Sequence, residues 1–161
     1  KGGLHYTPLT RVPFIWRDPA LPAGGTTVGA LAQTTDIAPT VLARAGLHPA
    51  NGMHGRSLQP VLQDEAASVR DALLIEEESQ RSDFGLDRRL RLRTLRDHHH
   101  RYTVYDGQTW GELYDLQADP LELHNRWNDA SARELRGDLA ERLARAMLAS
   151  ADSSPYPTAS A

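Results

Sequence analysis

The 161-residue sequence contains no cysteine, so these residues can supply no disulfide, thiolate metal site or cysteine nucleophile. No apolar run approaches the roughly 20 residues that a membrane-spanning helix requires. Neither sign of charge dominates. Eighteen Lys and Arg stand against 21 Asp and Glu, for a net charge of -3, which gives no reason to expect nucleic acid or an anionic membrane as partner. Internal repeats, a Walker-type phosphate loop, a nucleophile elbow and a helical His-Glu-x-x-His are absent as well. The chain opens Lys1-Gly2-Gly3 and its first methionine is Met53. The expectation is therefore a longer polypeptide whose start, with any targeting segment, lies upstream, which leaves localisation open. What is present is ordinary for a soluble globular protein: 40% apolar and 24% charged residues, in a length that can bury a real core.

Punctuation and periodicity divide the chain in two. Arg11–Trp16 is a short apolar run closed by Arg17-Asp18-Pro19 and reads as a buried strand. Asp36 stands at a helix N-cap position with Pro39 in the first turn. Ile37, Val41, Leu42 and Ala45 share one face, and Gly46 sits at C′. Residues 57–62 read as a short helical turn, and 63–68 as a polar linker. Beyond it the pattern becomes strand-like. Strands are expected over 72–77, over 89–94 where Leu90, Leu92 and Thr94 alternate with arginines, over 102–105, and over 112–116. Successive short strands with short links imply an antiparallel sheet. Ser131 and Glu134 have capping-box spacing, and Leu135, Leu139, Leu143 and Met147 form an apolar stripe. Asp138–Arg142 and Glu141–Arg145 are spaced as i,i+4 ion pairs. The Ala/Ser/Pro-rich tail, residues 151–161, is expected to be mobile.

Four blocks then carry a resemblance. Lys1-Gly2-Gly3-Leu4-His5-Tyr6 with Arg11-Val12-Pro13 resembles the end of the catalytic domain of sulfatases, in the alkaline-phosphatase-like superfamily. There a lysine, a short gap and an aromatic precede an Arg-Val-Pro strand. Asp36-Ile37-Ala38-Pro39-Thr40 resembles the family's D-I-A-P-T helix, and Gly55-Arg56-Ser57-Leu58 its G-x-S-L turn. Glu112-Leu113-Tyr114-Asp115-Leu116, Asp119-Pro120, Glu122 and Asn125 resemble its closing E-L-Y-D-L-x-x-D-P-x-E block. The resemblance implies an α/β fold: residues 1–63 as the strand-helix end of the catalytic domain, then 68–150 as a small antiparallel sheet packed by the C-terminal helix. It also implies hydrolysis of a sulfate ester of a small molecule or carbohydrate by a formylglycine nucleophile and a divalent metal, usually Ca2+. A fixed cation answers the charge that builds on the sulfate and leaving oxygens. Neither the Cys/Ser-x-Pro-x-Arg motif that yields formylglycine nor the family's metal pair is found here. The chain alone, without the missing N-terminal part, is thus expected to be inactive. A phosphodiesterase or phosphonate monoester hydrolase of the same superfamily, or a non-catalytic accessory module, are the alternatives.

By the same resemblance Lys1 is the catalytic candidate, an ammonium placed to contact the sulfate. His5, Tyr6 and Arg11 are substrate-binding candidates, His5 with a possible role as acid toward the leaving oxygen. No metal ligand is assigned. His98-His99-His100 reads as a solvated turn, since consecutive strand residues point to opposite sides. The run Arg88, Arg89, Arg91, Arg93, Arg96 and Arg101 reads as one exposed face rather than a nucleic-acid stripe. Glu76, Glu77 and Glu78 read as a solvated edge, and Trp110 and Trp127 as packing residues.

Overall fold

The computed structural model describes residues 3–21, 25–65, 67–80, 85 and 88–151, which fall into two compact units. One takes in the segment up to Phe14 together with Ala72–Leu148, the other Ile15–Asp71. Lys1 and, apart from Ala151, the tail lie outside the described residues.

The first unit is built on a four-stranded antiparallel meander: β1 (Leu73–Glu78), β2 (Arg91–Arg96), β3 (His100–Tyr105) and β4 (Gly111–Asp115), in that order. Each strand forms where alternation placed it, within a few residues. Leu90, Leu92 and Thr94 are sealed from solvent as their period requires. The register gives the sheet two unlike faces. On one, Leu74 lies opposite Leu95 and Tyr102 opposite Leu113. This face meets Ala132 of a 3-10 turn and Leu139 and Leu143, the inner stripe of the 17-residue helix Arg133–Ala149 that follows it. Each buried leucine there contributes roughly 1.5–3 kcal/mol. On the other face Thr94 lies opposite Thr103, Thr103 opposite Glu112, and Arg101 opposite Tyr114. A polar ladder thus crosses three strands on a buried surface.

Several end details differ from expectation. Asp129, not Ser131, starts the helical segment, accepting the Ser131 amide at 2.8 Å through a preceding 3-10 turn. Arg142 reaches Asp97 at 2.6 Å rather than Asp138. Asp97 also accepts the His99 and His100 amides, so one carboxylate ties the β2–β3 turn to the helix. Glu141–Arg145 forms as spaced, at 2.6 Å. Met147, at the end of the stripe, is exposed. Arg93 pairs with Glu76 and Glu78, so two of the three glutamates are engaged across the strand pair.

Arg11–Trp16 is not a strand. Val12, Phe14 and Ile15 are exposed, Ile15 at 90%. An extended segment becomes a strand only when a neighbour takes its amides and carbonyls, and no described strand lies beside it. A short turn, Thr7–Thr10, comes just before.

In the second unit, helix Ile37–Arg44 ends as its glycine predicts. Gly46 adopts φ 72°, and the Gly46 and Leu47 amides close on the Ala43 and Leu42 carbonyls, a Schellman ending. Its inner face differs from the expected one: Pro39 and Thr40 are buried while Ile37 and Val41 are exposed. The reason is Asp36. Its carboxylate does not cap the helix but accepts the Gln33 and Arg56 amides at 2.7 and 2.8 Å and bonds from Nη1 and Nη2 of Arg70. The Thr40 hydroxyl donates to the Asp36 carbonyl and accepts the Leu58 amide at 2.9 Å. Gly55 lies so close to the Thr35 carbonyl that a Cβ would overlap it. The turn Gln59–Gln63 then buries Val61 behind Leu58. Asp36, Thr40 and Gly55 explain why these two motif blocks carry the residues they do.

Candidate functional site

The buried polar face of the sheet is the one described cluster in which sequence-predicted site residues meet. Arg101 lies at its centre with 0% exposure. Its Nη1 donates to Glu112 Oε2 at 2.6 Å and to Thr103 Oγ1 at 3.1 Å, and its Nε donates to Glu122. The guanidinium carbon sits 4.3 Å from the Tyr6 ring centroid and 4.6 Å from that of Tyr114. Nη2 has no hydrogen-bond acceptor among the described residues, and the two aromatic rings lie against the cation. Burial alone would lower the Arg101 pKa, but Glu112 and Glu122 outweigh it and hold the pKa raised. Reading Arg101 as part of an exposed arginine face is therefore corrected, and Arg96, half-buried, donates to Thr7 Oγ1 at 2.9 Å. Alternation tells which side of a strand a residue takes, not whether something covers that side.

The cover is the segment that carries the substrate-binding candidates. His5, 4% exposed, makes a 2.8 Å bond between Nδ1 and Thr94 Oγ1, and Thr94 bonds Thr103 at 2.7 Å. The Tyr6 hydroxyl donates to Glu112 Oε1 at 2.9 Å, lies 3.2 Å from the Tyr114 hydroxyl, and its ring meets Tyr114 edge-on. The Thr7 amide donates to Glu122 Oε1 at 2.7 Å. Glu122 makes these bonds with φ 58°, a left-handed conformation that costs a non-glycine residue roughly 1 kcal/mol or more. Burial first, then the charges of Arg101 and Arg93, lower the His5 pKa from 6.5 to about 4, so its imidazole is neutral at neutral pH. Burial raises the Tyr114 pKa, as does the Tyr6 hydroxyl beside it.

Arg11 is exposed and outside this cluster, while His5 and Tyr6 are inside it. The residues that sequence reasoning left without a role are Arg101, Thr94, Thr103, Glu112 and Glu122. The remaining motif residues are structural. Asn125 Oδ1 accepts the Leu113 and Trp127 amides, its Nδ2 donates to the Gly111 carbonyl, and Asp119 accepts the His124 amide. Trp127 stacks on Tyr102 and Trp110 tilts against Tyr105. His98 and His99 are exposed in a turn, and no described group of three His, Asp or Glu residues could hold a metal. No described helix is long and apolar enough to cross a membrane.

The segment that covers the second face of the meander carries the first motif block, and the glutamates it bonds to belong to the last. The chain belongs to the family described as N-sulphoglucosamine sulphohydrolase, C-terminal, which matches residues 3–149. It is 30% identical over 141 residues to an N-acetylglucosamine-6-O-sulfatase of Bacteroides thetaiotaomicron, covering 86% of this chain and 25% of that protein. Among solved structures it resembles the phosphonate monoester hydrolase of Agrobacterium radiobacter, with TM-score 0.63 and 31% identity over 74% of this chain and 25% of that one. A fold of the same TM-score, 24% identical over 77% of this chain and 25% of the other, is that of BT4656 in complex with its substrate D-glucosamine-2-N,6-O-disulfate. The chain spans about a quarter of the length of these relatives. The mixed α/β expectation, with an antiparallel sheet packed by the last helix, holds.

Proposed function

We propose that this chain is the C-terminal part of a hydrolase of sulfate esters, and that its sheet positions the segment leading from the catalytic centre. The observation that carries the reading is convergence: His5, Tyr6 and Thr7 from the first motif block bond to Thr94 of β2 and to Glu112 and Glu122 of the last block. Lys1, four residues before His5, is the proposed sulfate contact, and Arg11 a further anionic-group contact. A sulfated glucosamine-type sugar is the proposed substrate class, on the strength of the curated relative's name.

The formylglycine and the Ca2+ ligands are proposed to belong to a part of the protein outside this sequence. The buried carboxylates among the described residues do not fit the metal: Asp36 is held by Arg70, Asp97 by Arg142, and Glu112 and Glu122 by Arg101. When bound, the metal would supply positive charge to the ester oxygens. Glu112 and Glu122 instead hold the Tyr6 hydroxyl and the Thr7 amide in place. The second reading, a phosphonate monoester hydrolase, is favoured by the 31% identity to that enzyme. Assaying the full-length protein on 4-nitrophenyl sulfate and on 4-nitrophenyl phenylphosphonate separates the two. Faster turnover of the sulfate, abolished by Lys1→Ala, is expected; preference for the phosphonate would install the second reading.

A further inference from the structure

The polarity of the buried ladder fixes which nitrogen of His5 carries its proton. Arg101 has only donors, so at the 3.1 Å contact Thr103 Oγ1 must accept from Arg101 Nη1. The single Thr103 proton then needs an acceptor, and Thr94 Oγ1 at 2.7 Å is the one that its hydroxyl meets among the described residues. Thr94, having accepted, gives its own proton along the remaining contact, 2.8 Å to His5 Nδ1. The opposite direction would have Thr103 accept twice and leave its hydroxyl hydrogen sealed without a partner, since Thr103 and Thr94 are both 0% exposed. Such an orphan is costly in a buried site. His5 Nδ1 is therefore an acceptor, and the proton resides on Nε2.

Nε2 bonds to no described residue, yet it is not among the polar atoms that are sealed without a partner. The little exposure His5 keeps thus includes this nitrogen. Arg101 and Arg93 are the charges that act on the ring, and a further positive charge beside them is disfavoured.

We propose that the Arg101–Thr103–Thr94 relay locks His5 as the Nε2–H tautomer, making it a fixed hydrogen-bond donor to an anionic ester oxygen rather than a proton carrier. The substrate part of this inference rests on the function proposed above; the tautomer does not. A donor of fixed direction needs no protonation step and works across the neutral range, unlike the acid role the sequence suggested.

The test reads the tautomer directly. Full-length protein labelled with 15N only at histidine is examined by ring nitrogen–proton correlation, with His5→Gln identifying the His5 signals by their loss. His5 is expected to show the Nε2–H pattern, unchanged from pH 8 to pH 5. Thr103→Val removes the middle hydroxyl, frees Thr94 to donate or accept, and is expected to give both tautomers. Thr103→Ser restores one. An Nδ1–H ring in the wild type, or a ring that titrates within that range, overturns the relay. If Thr103→Val does not fold, the wild-type and Thr103→Ser spectra still decide.

The substrate role is read separately, as kcat/KM on 4-nitrophenyl sulfate. His5→Leu is expected to lose about 10- to 100-fold, the range for one hydrogen bond to a charged oxygen. His5→Gln, which keeps an N–H donor, is expected to recover part of it. Equal activity of His5→Leu and wild type overturns the role. A wild type that hydrolyses neither ester overturns the functional reading and the substrate role with it, whatever the tautomer.

Discussion

Each unit is organised around one buried charge, and the two charges are satisfied in different ways. In the Ile15–Asp71 unit the centre is a carboxylate. Asp36 takes four hydrogen bonds, two from Arg70 and two from backbone amides, which fills its acceptor positions. All partners belong to that unit. In the sheet unit the centre is a cation, and Arg101 has more donors than the strands can match. Two carboxylates and a threonine take three bonds, two aromatic rings lie against the cation, and one nitrogen has no acceptor among the described residues. The closed hub needs nothing further and acts as a staple. The open hub is covered by side chains from a segment about 95 residues earlier in sequence, His5 and Tyr6, and so ties the sheet to the segment proposed above to lead from the catalytic centre.

Removing each central charge should give the largest effects, and unequal ones. Arg101→Met strands two buried carboxylates, and about 3–5 kcal/mol of stability is expected to be lost, measured by urea unfolding. The bonds of His5, Tyr6 and Thr7 should loosen with it, seen as faster hydrogen exchange of the Thr7 amide. Asp36→Asn keeps the shape and some acceptor capacity while leaving Arg70 without its charge partner. A smaller loss is expected, about 2–3 kcal/mol, with Thr7 exchange unchanged. Equal effects on Thr7 would mean that the two hubs are not separate devices.

Acid should distinguish them next. The folded-state pKa of His5 is depressed from 6.5 to about 4, so between those values the unfolded chain binds the extra proton. Stability therefore falls as pH drops from 6.5 toward 4, by up to about 3 kcal/mol. For Asp36, burial raises the pKa, but the bonds from Arg70, Arg56 and Gln33 outweigh it and leave it below 3.8. Its contribution is present above 3.8 and is lost at lower pH, as the folded carboxylate protonates. Unfolding free energy measured from pH 7 to pH 3 should thus fall in two stages, and His5→Gln should erase the first stage alone.

These contrasts also show what the sequence held. Period-two alternation around Leu90, Leu92 and Thr94 and the stripe through Leu139 and Leu143 located the sheet and its helix, because both are local patterns with local causes. The same alternation misread Arg101, because its burial depends on His5 and Tyr6, which lie 96 and 95 positions earlier by number. Asp36 was read as a helix cap for a related reason: Arg70, 34 residues on, outcompetes the helix for its oxygens. Arg11–Trp16 has a strand's composition without a described neighbour to pair with. Short-range grammar was legible; the partners of buried charges were not.

The smallest effect is the sharpest probe of the open hub. The Tyr6 proton goes to Glu112, so Tyr114 must donate to the Tyr6 oxygen at 3.2 Å. Tyr6→Phe deletes that one oxygen while keeping the ring over Arg101. It leaves Glu112 with its Arg101 bond and Tyr114 without its acceptor, so about 1 kcal/mol should be lost. Tyr6→Leu removes the ring as well and exposes the guanidinium side that no acceptor meets, so a further loss of about 0.5–2 kcal/mol is expected. If the two variants unfold at the same urea concentration, the aromatic cover contributes nothing and the unmatched Arg101 nitrogen must be satisfied in another way. If they differ as expected, the ring answers the donor that the strands leave open, and the contrast with the fully bonded Asp36 rests on a measured energy.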